Sequence, residues 1–448
     1  MRPIAVDLFA GAGGMTLGFE QAGFDVLAAV ELDPIHCAIH KFNFPFWSTL
    51  CASVEKISGK KIRRLSKIRD KEIAVVFGGS PCQGFSMMGK RALDDPRNSL
   101  VFHFFRLILE LQPKYFVFEN VPGLTVGEHR NFLLEIIEEF EKNGYQVEAN
   151  YQVINAANYG VPQDRARLFI LGCRQGLKLS KYPQPLTTPK ISQKSKYIID
   201  LAELPATPTV WDAIGDLPEV ENYSVLMERD WAIAEYGKPS DYSSKLRGIS
   251  PIKNDYSYER LFDDYFLTCS TRTKHSPQSI ARFVQTQPGK TEPVSRFHKL
   301  AADGICKTLR AGTPRNRGAF TSPRPIHPKT PRCITVREAA RLHSYPDWFR
   351  FHLTKWHGFR QIGNSVPPLL AKAIATEIIR ALEILPVKPI VTRELGDDSL
   401  LQLNMSQAAE RFGVPENIIE PRKRTRRQGD KGTRGQGASN EERVISNQ

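Results

Sequence analysis

The sequence predicts an α/β protein on a doubly wound, mostly parallel sheet, and two observations over residues 1–173 carry that expectation. Short apolar runs (IAVDLFAG, VLAAVE, IAVVFGG, YFVFENV, RLFILGC) end in glycine or a polar residue. Around them lie stretches with apolar residues at helical spacing, namely MTLGFEQAGF, LVFHFFRLILEL and FLLEIIEEFEKN. Strands alternating with helices bury a parallel sheet on both faces. Such sheets take their ligands beyond the carboxyl ends of the strands, and the chemistry-bearing residues fall at those ends.

In chain order, the first strand runs into Asp7-Leu8-Phe9-Ala10-Gly11-Ala12-Gly13-Gly14, a glycine-rich turn that opens a helix. Glycine allows a tight turn and close approach of backbone to ligand. Glu31 follows Gly11 by 20 residues, at the end of the second apolar run. A carboxylate there suits ribose hydroxyls in nucleotide-binding α/β folds, so the pair fits a nicotinamide dehydrogenase or a methyltransferase equally. Gly78-Gly79-Ser80-Pro81-Cys82-Gln83-Gly84-Phe85-Ser86 puts a cysteine on a constrained loop after a buried strand. A lone cysteine is commonly an inert core residue; at a sheet's carboxyl edge it suits a nucleophile once its thiolate is stabilised. Phe118-Glu119-Asn120-Val121-Pro122-Gly123 places a carboxylate where it could share a pocket with Cys82, or simply cap a turn. Gln163-Asp164-Arg165-Ala166-Arg167 sets two arginines at i, i+2 before a buried strand, where they point to one face.

The remaining chain divides by composition. Residues 1–173 read as a catalytic and cofactor-binding domain with balanced charge, and 174–330 as an irregular, proline-rich, basic insert of net charge +8, of which 296–330 alone carries +7. Residues 331–385 return to the α/β pattern through TVREAARLHS and the amphipathic PPLLAKAIATEIIRALEIL. Residues 386–420 form a linker and a helical element, MSQAAERFGVPENII, with the spacing of a helix-turn-helix or of a plain helical hairpin docked on the catalytic domain. Residues 421–448 form a basic, glycine-rich tail of net charge +5, expected to be disordered and to add sequence-independent phosphate contacts.

Composition narrows the class. With 41% apolar and 25% charged residues the chain is an ordinary globular protein, not a disordered one. No run of about 18 apolar residues could span a membrane, and the N-terminus reads as a strand rather than a secretion signal. Seven cysteines, an odd number with no C-x-x-C, argue against a disulfide framework and for a reducing, cytoplasmic setting. The net charge of +14, clustered in two blocks, points to a polyanion partner.

Together, DLFAGAGG, Pro81-Cys82-Gln83, Glu119-Asn120-Val121 and Gln163-x-Arg165-x-Arg167 resemble, in order and spacing, the cytosine-specific carbon-5 DNA methyltransferases. DPRNSL at 95–100, TVREAARLHSYPDWF and QIGNSVPP add to the likeness, which covers about 1–173 and 331–385. The resemblance implies a Rossmann-like methyltransferase fold, S-adenosylmethionine as cofactor with no metal, and double-stranded DNA as partner. It implies a bacterial modification methylase, acting as a monomer on DNA beside a separate restriction endonuclease or alone. It assigns catalysis to Cys82 with Pro81 and Gln83, to Glu119, and to Arg165 and Arg167. It assigns the cofactor to Asp7, Phe9, Ala10, Gly11, Gly13, Gly14, Glu31, Leu32, Leu100, Asn364 and Ser365. The family usually has an acidic residue after the third strand to hold the adenine amine; here Ala52-Ser53-Val54 stands there, leaving Ser53 as the acceptor. Thr308-Leu309 resembles the family's short recognition element, and with Ser86, Arg310, Arg315, Arg317 and Arg324 it supplies the DNA-contact candidates.

The implied chemistry is addition of the Cys82 thiolate to carbon 6 of a flipped cytosine, with Glu119 at ring N3 and the arginines at the pyrimidine carbonyl. The competing readings are an RNA cytosine methyltransferase of the same family, disfavoured by the large basic insert, and a catalytically inactive DNA-binding relative, disfavoured by the intact Cys82, Glu119 and Arg165.

Overall fold

A computed structural model describes residues 2–80, 99–148, 150–190, 195–313 and 321–419. The chain begins β1 (Ile4–Leu8), α1 (Gly14–Ala22), β2 (Asp25–Glu31), α2 (Pro34–Asn43), β3 (Ser48–Cys51), α3 (Gly59–Leu65), β4 (Val75–Gly79), α4 (Ser99–Leu111) and β5 (Tyr115–Asn120). It continues through α5 (Glu128–Lys142), β6 (Tyr145–Val147), β7 (Gln152–Asn155), β8 (Gln163–Asp164) and β9 (Ala166–Arg174). The sheet order is β3-β2-β1-β4-β5-β9-β6, with β7 also on β9. β1 to β5 are mutually parallel; β9 runs antiparallel to β5, and β6 and β7 antiparallel to β9.

The strand order reverses between β1 and β4, so right-handed crossovers put helices on both faces. Aromatic contacts show the two layers. Phe77 of β4 and Val117 of β5 are register partners and share a face, and the Phe77 ring stacks on Phe19 of α1 at 3.7 Å. Phe116 and Phe118, two apart, lie on the opposite face, against Phe140 of α5 (4.1 Å) and Phe104 of α4 (5.2 Å). The doubly wound, mostly parallel sheet expected from the sequence is what the chain builds.

Among the described residues of 174–330 the helices and strands are short: α6 (Val210–Ile214), β10 (Ala232–Ile233), α7 (Asp241–Leu246), β11 (Phe266–Leu267), α8 (Pro277–Gln285) and β12 (Cys306–Lys307). The region is irregular, as its composition suggests, and it shares the main core as well as having small cores of its own. Val210, Ile214, Leu246, Leu300, Cys306 and Leu309 join the main core, while Phe283, Ile326 and Cys333 form a satellite. A fully buried ion pair, Arg260–Glu20 at 2.8 Å, ties the region to α1.

The chain then returns through α9 (Val336–Leu342), α10 (Lys355–Asn364) and α11 (Pro368–Ala381), the last lying along α1. α12 (Met405–Phe412) packs on α2 through buried Ala408 and Ala409. The helix-turn-helix and hairpin expectations both fail over the described residues, because nothing helical follows Gly413 up to residue 419. Gly413, at φ 64°, caps α12, and only five residues separate Pro415 from Pro421, too few to nucleate a second helix before a residue that disfavours one. The tail 421–448 lies outside the described residues.

α9 starts in a capping box in which Thr335 and Glu338 bond each other's backbone. Glu338 is buried and accepts both Arg332 guanidinium nitrogens, at 3.0 and 2.8 Å. Burial alone would raise this carboxyl, but Arg332 and His327 outweigh it and hold it down at about 2. A carboxyl depressed from an ordinary value near 4.5 stabilises the fold above that value and loses the contribution as pH falls towards 2. Glu338→Gln should therefore melt lower at neutral pH, by roughly 1–3 kcal/mol of stability, because Arg332 loses one of its two carboxylate partners and keeps Glu219, 2.8 Å from its Nε. Its melting temperature should fall less steeply than wild type between pH 4.5 and 2, as calorimetry would show.

Candidate active site

The carboxyl edge of the sheet places Cys51, Glu31, Leu8, Gly79 and Glu119 side by side on β3, β2, β1, β4 and β5. On the β1–β2 side the backbone leaves β1 through Phe9, a non-glycine residue at φ 64°, and through Gly11 at φ 55°. Gly11 N–H donates to Glu31 Oε2 (2.8 Å), while Leu32 and Asp33 N–H donate to Oε1 (2.9 and 2.8 Å). Three backbone donors thus fix the Glu31 carboxylate and leave lone pairs for hydroxyls. A Cβ on Gly11 would meet nothing within 4 Å, so this face is open to a ligand.

The other glycines have a different place. A Cβ on Gly13 would lie 2.5 Å from the Phe44 ring, and one on Gly14 2.5 Å from the Tyr345 hydroxyl and the Val366 carbonyl. Both are required by packing, and Gly14 brings residues 365–366 against the turn. Ala10 and Asp7 are buried; Asp7 accepts the Thr16 hydroxyl at 2.6 Å, and burial pushes its carboxyl well up. Asp7 sits beneath the turn rather than on its open side. Leu32, Ser53, Leu100 and Ser365 are half-buried and Asn364 exposed. Ser53 Oγ accepts its own turn's Glu55 N–H (3.2 Å). His36 and His40 stand at i, i+4, a metal-ligand spacing, yet His40 bonds Thr16 (3.1 Å) and Thr49 (3.1 Å). Among the described residues no cluster of histidine, cysteine or carboxylate could hold a metal.

On the β4–β5 side, Gly79 and Glu119 are register partners, and a Cβ on Gly79 would sit 2.2 Å from Glu119 Oε2. The missing side chain is what lets this carboxylate lie over β4, at the root of the cysteine loop. Asn120 Nδ2 donates to the Ser80 carbonyl (3.2 Å) and so fixes the residue from which that loop departs. Arg167 Nε is 2.9 Å from Glu119 Oε1. Burial nevertheless raises the Glu119 carboxyl above its usual range, against the pull of Arg167 and Arg165. Pro81, Cys82, Gln83 and Ser86 lie outside the described residues, as do Arg315 and Arg317.

The two arginines of the motif take different partners. Arg165 is fully buried and donates to the carbonyls of Leu309 (2.9 Å), Gly363 (2.7 Å) and Ser365 (2.7 Å). The last two are C-terminal carbonyls of α10, which have no intrahelical partner. Gln163 accepts Leu309 N–H (3.2 Å) and donates to the Leu342 carbonyl (3.2 Å). Its amide also meets His343 Nδ1 at 3.0 Å, which assigns the ring proton to Nε2, facing the Ser365 carbonyl at 3.1 Å. β12 pairs with β8, and Thr308 Oγ1 donates to the Asp164 carbonyl (2.7 Å).

Leu309 is therefore a core anchor, 5% exposed, whereas Thr308 and Arg310 beside it are exposed. Arg324 is half-buried over the Phe359 ring. Sequence reading missed Gly79, Asn120, Gln163 and His343 as site-building residues. The first three stand inside the quoted motifs, but their partners are remote in sequence.

The chain matches the C-5 cytosine-specific DNA methylase family over residues 4–380. It is 57% identical over 423 residues to the type II methyltransferase M.XorII of Xanthomonas oryzae pv. oryzae, covering 94% of this chain and 95% of that protein. It is 34% identical over 381 residues to the type II methyltransferase M1.HphI of Haemophilus parahaemolyticus, covering 84% and 86%. A crystal structure described as a prophage-encoded DNA modification methyltransferase (E. coli) superposes with a TM-score of 0.65 at 32% identity, covering 85% of this chain and all of that one. The Entamoeba histolytica methyltransferase EhMeth, at 17% identity and a TM-score of 0.50, shares the fold alone. The sheet order, the edge that joins Glu31 to Glu119 and these matches agree: the chain belongs to the C-5 cytosine-specific DNA methylases.

Proposed function

We propose that the protein methylates carbon 5 of a cytosine flipped out of double-stranded DNA, through a covalent Cys82 adduct, as the modification arm of a restriction–modification system. The observation that carries this is Glu119: a buried, raised carboxyl paired with Arg167, lying over Gly79 where the cysteine loop begins. S-adenosylmethionine would supply an activated methyl group. The open face at Gly11 and the fixed Glu31 carboxylate fit its ribose, with Leu32 next in the chain, Ser53 just past β3, and Leu100 at the start of α4 as further candidates. Asn364 and Ser365 follow on the segment that Gly14 draws in.

Carbon 5 of cytosine is a poor nucleophile until carbon 6 is saturated. Addition of the Cys82 thiolate to carbon 6 forms a C–S bond and drives electron density to carbon 5, while ring N3 takes a proton. A carboxyl with a raised pKa keeps its proton to higher pH than an exposed glutamate, which suits Glu119 to supply that proton. Arg167 keeps the carboxyl oriented and presents positive charge to the pyrimidine carbonyl. After methylation the carbon-5 proton passes to water acting as base, the C–S bond breaks as the carbon 5–carbon 6 double bond re-forms, ring N3 returns its proton to Glu119, and Cys82 leaves as thiolate. A stacked base cannot reach such a site, so the target leaves the helix at a cost of a few kcal/mol. The basic blocks in 296–330 and 421–448 would hold the duplex, in a salt-dependent way.

Bisulfite sequencing of DNA from cells expressing the protein should show one sequence context converted to 5-methylcytosine, and no context would appear with Cys82→Ala. Uniformly unmethylated DNA from the wild type would overturn the reading. Cys82→Ser should stop turnover but keep DNA affinity, since a hydroxyl is a far weaker nucleophile at neutral pH. Glu119→Gln can hydrogen-bond but not deliver a proton, and should lose about 10²–10⁴-fold in kcat. Gly79→Ala should cost about 10²-fold by displacing Glu119, with little change in cofactor affinity; an unchanged kcat would mean that the carboxylate does not work from this position.

A further inference from the structure

The recognition region carries a backbone outlier that its packing does not require. Residues 289–299 form a β-hairpin: Gly289 N–H donates to the Lys299 carbonyl (2.9 Å), Lys299 N–H to Lys290 (2.8 Å), and Thr291 faces His298 across an antiparallel bridge. The loop closes through Glu292 N–H to Phe297 (2.8 Å) and Arg296 N–H to Glu292 (3.0 Å). Arg296 sits in this loop at φ 60°. That conformation belongs to glycine or asparagine in hairpin loops and is strained for arginine. The Arg296 side chain is exposed, and among the described residues it has no partner.

The loop is held rigidly in this strained form. The Glu292 carboxylate is fully buried, accepts the N–H groups of Val294 (3.0 Å) and Ser295, and pairs with Arg282 of α8 at 3.2 Å. Phe297 packs on the satellite core of Phe283, Ile326 and Cys333. Ile326 N–H donates to His298 (2.8 Å) and Leu300 N–H to Ile326 (3.0 Å), so the hairpin is spliced into a larger ladder. Beyond a turn closed by Gly304 N–H to the Ala301 carbonyl, the chain leads on through β12 to Leu309, which Gln163 and Arg165 clamp. Beside Arg296 at the tip, Val294 is 70% exposed.

Strain that a glycine would relieve persists where the side chain itself has work to do. We propose that Arg296 reads a guanine of the recognition sequence, with hairpin 289–299 entering the major groove and Val294 lying against a neighbouring base edge. A two-stranded ribbon fits that groove, and the arginine fork matches guanine O6 and N7. Arg296 also opens the block 296–330 of net charge +7. The inference rests on the DNA-methylating function proposed above.

The test is Arg296→Gly in the full-length protein, because glycine suits this backbone and preserves the hairpin. The readouts are melting temperature, kcat/KM on the duplex context found by bisulfite sequencing and on its single-base-pair variants, and the salt dependence of DNA affinity. The proposal expects a melting temperature at or above wild type and a cognate kcat/KM lower by about ten- to hundredfold. Discrimination should collapse at a single G·C pair, with the salt dependence little changed. Unaltered discrimination would overturn it. So would equal weakening on every duplex with a shallower salt slope, the signature of a phosphate anchor, or a fall in melting temperature, which would make Arg296 a structural residue. A wild-type protein that methylates no DNA would instead sink the parent function, so the two failures are distinct.

Discussion

The buried guanidinium of Arg165 is the constraint on which the rest of the site depends. Among the described residues it makes no ion pair; its two terminal nitrogens donate to the backbone carbonyls of Leu309, Gly363 and Ser365, while Nε meets no acceptor there. A buried charge removed from water depends on the hydrogen bonds that replace its hydration, so these three carbonyls hold their segments together around Arg165. One of them follows β12, and the other two carbonyls end α10, whose next residues lie against the glycine turn at Gly14. The contact is close enough that a Cβ on Gly363 would meet the Ala311 backbone nitrogen at 2.4 Å. The segment after β12 and the end of α10 are thereby held in one register, and Gln163 and His343 add neutral hydrogen bonds to the same junction.

From that junction the strand continues two residues to Arg167, which faces Glu119. Here the balance is different. The pair is buried enough that desolvation outweighs Coulomb attraction on the carboxyl side, so Glu119 holds its proton more tightly than an exposed glutamate. The same burial disfavours the charge on Arg167. In the mechanism proposed above, a site that donates a proton and stabilises developing charge gains from this tension, because each partner can change its interactions when a base enters. Gly79 sets the distance by leaving room above β4, and Asn120 anchors Ser80 so that the loop carrying Cys82 starts beside the carboxylate.

Much of this was legible in the sequence because it is local. Apolar runs ending in glycine gave the strand edges, and the 20-residue spacing of Gly11 and Glu31 matches a real hydrogen bond. What the sequence could not distinguish is which member of a motif faces the ligand and which faces the core. Gly11 opens to space while Gly13 and Gly14 are packed, and their neighbours, Phe44, Tyr345 and Val366, lie up to some hundreds of residues away. Arg165 and Arg167 look alike in spacing, and only partners 144 to 200 residues distant separate them. Leu309 read as a DNA contact because Thr308-Leu309 is a recognition-type pair, yet its side chain belongs to the core. The helix-turn-helix reading failed because a glycine cap ends one helix without starting another, and α12 instead buries its alanines on α2. The backbone strain at Arg296 left no sequence signal, since a dihedral is invisible in composition; only its place at the start of the basic block 296–330 was legible.

The central claim is that Cys82 forms a bond to the target base under the control of Glu119. Incubation of the protein and S-adenosylmethionine with duplex DNA carrying 5-fluorocytosine at the methylated position tests it directly, because fluorine cannot leave as a cation and the adduct persists. Peptide mass spectrometry of the denaturation-resistant complex should place the nucleotide on Cys82, and Glu119→Gln should form it far more slowly. A complex linked through any other residue, or no covalent complex from a protein that methylates the unmodified duplex, would contradict the account.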